Sequence, residues 1–134
     1  MSSKKKQGDP ESFKANWKIR KETYYNHFTN KAPENQIQLA FRSHFEVFSE
    51  ILERYPTNGN LLLETGCGRG TISNYFAKAG WNVTLLDYNK NVLNVARKIF
   101  NKQNLKAKYV QGDALNLNFR DNSFDIVTNI GLLE

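Results

Sequence analysis

The chain has 134 residues, 40% of them apolar and 13% aromatic, with a net charge of +6, enough for one domain with its own core. No apolar run approaches the ~20 residues of a bilayer-crossing helix, and no apolar stretch follows Lys4-Lys5-Lys6 to make a secretory signal. The single cysteine, Cys67, excludes an internal disulfide and fits a cytoplasmic setting. Residues 1–30 hold seven Lys/Arg against three Asp/Glu, and residues 31–134 hold twelve against ten. The basic excess therefore sits at the N-terminal end, where it reads as a solubilising tail; a nucleic-acid partner is the weaker reading.

Residues 1–10 are polar and Lys-rich, the composition of a disordered tail. Across 11–28, Phe13, Trp17, Tyr24 and Phe28 share one helical face. Such a stripe is expected to dock on a core, and a lid over a ligand pocket is its functional alternative. Pro33 suits the first turn of a second helix, with Glu34 at its positive end. Ile37, Phe41, Phe45, Phe48, Leu52 and Tyr55 then recur every three or four residues, so this helix is predicted to be long and amphipathic. Residues 11–56 are thus expected to be N-terminal helices covering a pocket, and residues 57–134 the ligand-binding half of the same domain.

Pro56-Thr57-Asn58-Gly59-Asn60 is a turn signal. Leu61-Leu62-Leu63 reads as a strand buried on both faces, as in a parallel sheet. Glu64 closes it, Gly66, Gly68 and Gly70 alternate behind it, and a helix is predicted over 71–79. A second strand over 83–86 is closed by Asp87. A helix beginning at Asn89 or Lys90 turns Val92, Leu93, Val95, Ala96, Ile99 and Phe100 inward. A third strand covers 107–111 and runs into Gly112-Asp113-Ala114. A fourth covers 124–129, after a loop or short turn.

Strands alternating with helices imply right-handed parallel crossovers in one sheet, with ligands at the carboxyl ends of the strands. Those ends are the Glu64–Gly70 loop, Asp87, Asp113 and Asn129. A carboxylate at Asp87, about twenty positions past the glycines, can accept two hydrogen bonds from a ribose diol. Asp113 can accept from an exocyclic amine of adenine, and Glu64 can face a cationic amino group. Each acid alone reads equally as a turn former or helix cap; their joint placement favours a site. A dinucleotide turn spaces its third glycine three residues after the second. Here Gly70 comes one residue early, and there is no phosphate-binding lysine pattern. The arrangement suits a ligand without phosphate, such as a sulfonium nucleoside bearing an amino acid.

The run Leu62-Leu63-Glu64-Thr65-Gly66-Cys67-Gly68-Arg69-Gly70 resembles the first motif of class I S-adenosylmethionine-dependent methyltransferases. Leu85-Leu86-Asp87 is similar to their second-strand acid, Gly112-Asp113-Ala114 to their adenine motif, and Phe124-Asp125-Ile126-Val127 to the strand that follows. The resemblance implies an α/β, Rossmann-like three-layer sandwich with a mostly parallel sheet. It implies S-adenosylmethionine as cofactor and S-adenosylhomocysteine as product. Gly66, Gly68 and the neighbouring Thr65, Cys67 and Gly70 would line the methionine part, and Glu64 would orient its amino group. Asp87 would hold the ribose, with Tyr88 stacking near the adenine. Asp113 and Ala114 would read the adenine edge. Asn129 and Ile130 would lie beside the sulfonium.

Members of that family usually have seven strands, and this sequence supplies four. The expectation is a domain truncated after its fourth strand, or half of an assembly completed by another chain through the apolar edge of Phe124, Ile126 and Val127. The expected acceptor is a small molecule. A cofactor-binding module without turnover is the alternative, and a nicotinamide-dependent oxidoreductase is opposed by the early third glycine. No general base stands out. His27 and His44 fall on predicted helices ahead of the sheet with no partner in the pattern of a metal site or triad, and Cys67 is expected to contribute its backbone.

Overall fold

The computed structural model describes residues 27–130. The predicted tail and most of the first predicted helix, with Phe13, Trp17 and Tyr24, lie outside the described residues. Among the described residues, three helices and four strands follow in the order α1 (Gln36–Arg54), β1 (Leu61–Thr65), α2 (Thr71–Lys78), β2 (Asn82–Asp87), α3 (Lys90–Lys102), β3 (Lys108–Gln111) and β4 (Ile126–Thr128). The strands form one sheet in the order β3-β2-β1-β4, and every pairing is parallel. The chain lays β2 and β3 successively on one side of β1 and then returns to the other side with β4. Strand order therefore reverses at β1, where open parallel sheets open their ligand crevice.

Burial explains why the Leu-rich segments become the central strands. Leu62, Leu63, Leu85 and Leu86 are each at most 2% exposed; Leu62 and Leu85 share one cluster with Ile72 and Phe76 of α2 and Phe100 of α3, whereas Leu63 and Leu86 point to the opposite face of the sheet. Removing each such leucine or phenylalanine from water contributes ~1.5–3 kcal/mol. Helix α1 joins this layer through Phe45, whose ring meets Tyr75 at 5.2 Å and Phe76 at 5.1 Å.

Three expectations about α1 and its approach are corrected. Pro33 and Glu34 precede the helix instead of opening it. Asn35 is the N-cap, and its side chain accepts from the Gln38 N–H at 2.9 Å, satisfying one of the amide groups that a helix start leaves orphaned. Tyr55 is the C-cap, past the last turn, and is 73% exposed; Ile37, in the first turn, is also exposed. The stripe that packs on the core is thus Phe41, Phe45, Phe48 and Leu52, each half-buried. Residues 27 and 28 are not helical. Phe28 nonetheless docks as the aromatic stripe requires, 4.7 Å from Tyr75.

The fourth strand is shorter than predicted. Phe124 gives its ring to Phe119, edge-on at 5.0 Å, so it packs within the preceding loop. Asp125 turns its carboxylate to the Leu61 N–H at 2.9 Å while its own N–H donates to the Leu61 carbonyl at 2.8 Å. Gly59 lies against it: a Cβ there would stand 2.6 Å from Asp125 Oδ2, so a larger residue would have to displace the carboxylate. This clamp sets the register Leu62↔Ile126. Ile126 packs on the core, whereas Val127 is 59% exposed at the edge of the sheet among the described residues.

Candidate functional site

All four carboxyl ends fall on one side of the sheet. The register pairs Thr65 with Leu86, Asp87 with Gln111 and Glu64 with Thr128. Across the sheet from β3 to β4 run Gly112-Asp113-Ala114, Asp87-Tyr88, the Gly66–Gly70 loop and Asn129-Ile130. The sequence-predicted residues are therefore brought together along one crescent.

The loop is fixed by backbone geometry and by Asp87. Gly66, Gly68 and Gly70 have φ of 60°, 55° and 71°, the left-handed region that a Cβ disfavours. The Cys67 N–H extends the ladder to the Leu86 carbonyl at 3.0 Å, and the Gly70 N–H closes a turn on the Cys67 carbonyl at 2.9 Å. Asp87 Oδ2 accepts from the Gly68 N–H at 3.1 Å, and Oδ1 accepts from the Asn89 N–H at 2.9 Å. A carboxylate has about four acceptor sites, so both oxygens of Asp87 keep a lone pair for a ligand. Gly70 faces inward: a Cβ would meet Leu85 Cδ2 at 2.8 Å and Phe100 Cε1 at 3.2 Å. Its glycine is demanded by the core as well as by φ.

Glu64 is the most buried acid of the crescent, at 3% exposure. Its Oε1 accepts from the Ser73 N–H at 3.1 Å and the Ser73 hydroxyl at 2.6 Å. Burial nevertheless wins and lifts its pKa from 4.5 to about 7; the two bonds from Ser73 pull down and Asp87 adds a further push upward. Burial likewise raises the Cys67 thiol well above its usual range, helped by Glu64 and Asp87. Such a thiol is protonated and unsuited to nucleophilic attack, consistent with a backbone role.

Asp113 is exposed, and its Oδ1 accepts from the Leu115 N–H at 2.8 Å. Tyr88 is half exposed beside Asp87, and its carbonyl accepts from Gln111 Nε2 at 3.3 Å. Ala114 is half-buried, Asn129 exposed, and Ile130 packs on the core. Thr65 is buried and its hydroxyl donates to the Thr128 carbonyl at 3.4 Å. Sequence reasoning missed Ser73 and Thr128, the latter with a buried hydroxyl lacking a partner. A serine in the first turn after a glycine loop was the available signal for Ser73. Thr128 carried none. His27 stacks on Phe41 at 5.4 Å and His44 lies 6.4 Å from Phe48. Neither belongs to a metal-binding group among the described residues.

A family profile described as the methyltransferase domain matches residues 62–134, more than half of the chain. The chain belongs to the methyltransferase domain family. The match starts within β1 and takes in the whole crescent. A demethylmenaquinone methyltransferase of Lactobacillus johnsonii is 31% identical over 75% of this chain and 50% of its own length. A malonyl-[acyl-carrier protein] O-methyltransferase of Pectobacterium atrosepticum is 38% identical over 57% of this chain and 29% of its own length. The chain thus spans half or less of the length of these curated relatives. A crystal structure from Methanococcus maripaludis matches 99% of this chain and 55% of its own with a TM-score of 0.64, at 24% identity, a likeness of fold. A SAM-dependent methyltransferase of Methanosarcina mazei is 31% identical over 57% of this chain and 39% of its own, with a TM-score of 0.52. The parallel sheet with its helices is the Rossmann-like methyltransferase architecture through the fourth strand.

Proposed function

We propose that the crescent binds S-adenosylmethionine, and that the protein transfers its methyl group to a small-molecule acceptor. The observation that carries this reading is the Gly68–Asp87 bond with Glu64 buried behind the same loop. It joins a bare-backbone bend to two acids, a combination hostile to phosphate and suited to a cationic nucleoside. The residues fit the cofactor on three counts. Asp87 retains acceptor capacity for a ribose diol. Asp113, just past the end of the adjoining strand, is placed for an adenine amine. Glu64, held near neutrality by burial, gains most from an ammonium group close by.

When bound, the sulfonium supplies a methyl group already activated for in-line displacement. The chain's own contribution is proximity and alignment. Gly66 and Gly68 would let the backbone approach, Asp87 and Asp113 would hold the ribose and the adenine, and Asn129 with Ile130 would lie beside the sulfonium. The small-molecule acceptor is favoured by the relatives, whose names specify a menaquinone precursor and an acyl-carrier-bound malonyl group. Calorimetry with S-adenosylmethionine and S-adenosylhomocysteine tests binding, and a methyl-transfer assay then tests turnover. Binding of neither nucleoside would refute the site. Binding without transfer would favour a cofactor-holding module, or a half-sheet completed by another chain along the edge that exposes Val127.

A further inference from the structure

The start of α2 has no cap of its own. Its N-cap is Gly70, which makes no side-chain bond, and no acid stands in the first turn. The orphan amide of Ser73, the third residue of the helix, is met from outside. Glu64 Oε1, near the end of β1, accepts from the Ser73 N–H at 3.1 Å and from the Ser73 hydroxyl at 2.6 Å. Ser73 is 0% exposed and Glu64 3%, so solvent screens this pair little.

Opposing influences meet on this carboxyl group. Burial favours the neutral acid, and the charge of Asp87 at the end of β2 pushes the same way. The two donors of Ser73 and the positive end of α2 favour the carboxylate. The balance falls at about 7. The neighbouring Cys67 thiol, raised well above its usual range, stays neutral there. Thr128, the register partner on β4, carries no charge. At neutral pH the charge behind the glycine loop is therefore decided by a narrow margin, and one hydroxyl is enough to tip it. A hydroxyl that donates to a carboxylate makes one of the stronger hydrogen bonds, and its loss moves a titration by about one pH unit.

We propose that Ser73 is a positioning residue for cofactor recognition: its hydroxyl favours the carboxylate form of Glu64 behind the glycine loop, and binding of S-adenosylmethionine is coupled to release of a proton from Glu64 to solvent. The inference rests on the cofactor reading above. Glu64 acts without touching the ligand. Its negative charge lies behind the loop that would carry the nucleoside, which bears an ammonium and a sulfonium group, and at so short a range in a buried setting opposite charges attract strongly.

Calorimetry with S-adenosylmethionine across neutral pH, on the wild-type chain, Glu64→Gln and Ser73→Ala, provides the test. Glu64→Gln keeps an acceptor oxygen for Ser73 and cannot ionise, so its profile contains the ligand's own titration alone. Relative to it, wild-type affinity is expected to rise about tenfold between about pH 6 and pH 8, as the ionised fraction of a group titrating near 7 does. Ser73→Ala is expected to show the same rise displaced upward by about one pH unit. The carboxyl-carbon NMR titration of Glu64 in the free protein is expected to show the same displacement. A merely structural Ser73 would lower affinity or stability and leave both midpoints in place. Ser73→Cys, with its weaker donor, is expected to fall between the two and serves if Ser73→Ala does not fold. Equal midpoints in wild type and Ser73→Ala, or a wild-type profile that matches Glu64→Gln, would overturn the proposal. Binding of no nucleoside at any pH would remove the cofactor reading and this inference with it, a failure distinct from binding whose pH profile ignores Ser73.

Discussion

The ends of β1 and β3 carry acids that look alike in the sequence and differ in everything the environment decides. Glu64 is buried against Ser73, with its pKa lifted to about 7. Asp113 stands in water and accepts from an N–H two residues on. Desolvation separates them: a carboxylate in the core is penalised, whereas one at the surface keeps its hydration. The first is coupled to pH and to the packing of α2. The second is a local turn residue available to a ligand at little cost to the fold.

The sharpest way to break the contrast is at Gly70, on the buried side. Gly70→Val combines a φ of 71° with a Cβ 2.8 Å from Leu85. Strain and overpacking together are expected to cost about 2–5 kcal/mol, read as a lower urea midpoint. The pH dependence of Glu64 comes next. Between 4.5 and about 7 the folded protein holds a proton there that the unfolded chain has lost. Its contribution to stability is therefore full below 4.5 and disappears as the pH rises through about 7. Across that window the effect amounts to about 3 kcal/mol, because each pH unit between the two values contributes ~1.4 kcal/mol. Glu64→Gln is expected to flatten that slope in urea titrations run from pH 4.5 to 8; an unchanged slope would place the proton elsewhere.

Asp87 lies between the two extremes. Asp87→Ala removes the acceptor of the Gly68 and Asn89 N–H groups, and is expected to weaken S-adenosylhomocysteine binding by roughly 1–3 kcal/mol in calorimetry. Asp113→Asn preserves an Oδ1 acceptor for the Leu115 N–H, so its stability is expected to move by less than ~0.5 kcal/mol in the same urea titration. A larger urea-measured loss in Asp113→Asn would make Asp113 a structural residue, as Glu64 is.

Much of this arrangement was legible in the residues. The leucine run and Val83–Leu86 announced doubly covered strands, and the glycine spacing with Asp87 announced the bend. Both signals are local and strong, because a parallel strand is apolar throughout and a bend with three positive φ values calls for glycine. The errors arose where a local signal met a longer-range competitor. Pro33 is a good helix opener, yet Asn35 caps the helix with its own side chain. Phe124 has strand character, yet Phe119 claims it. The pairing of Glu64 with Ser73 depends on how α2 is buried on several sides, which its eight residues do not encode by themselves.

The Gly68–Asp87 bond has a kinetic corollary. Because the bend is already held by protein groups, a nucleoside bound at the proposed site would find its cradle assembled and little chain left to organise. The entropic toll of association would then fall on the ligand and its water, and recognition would approach lock-and-key docking, with an on-rate governed by diffusion and charge.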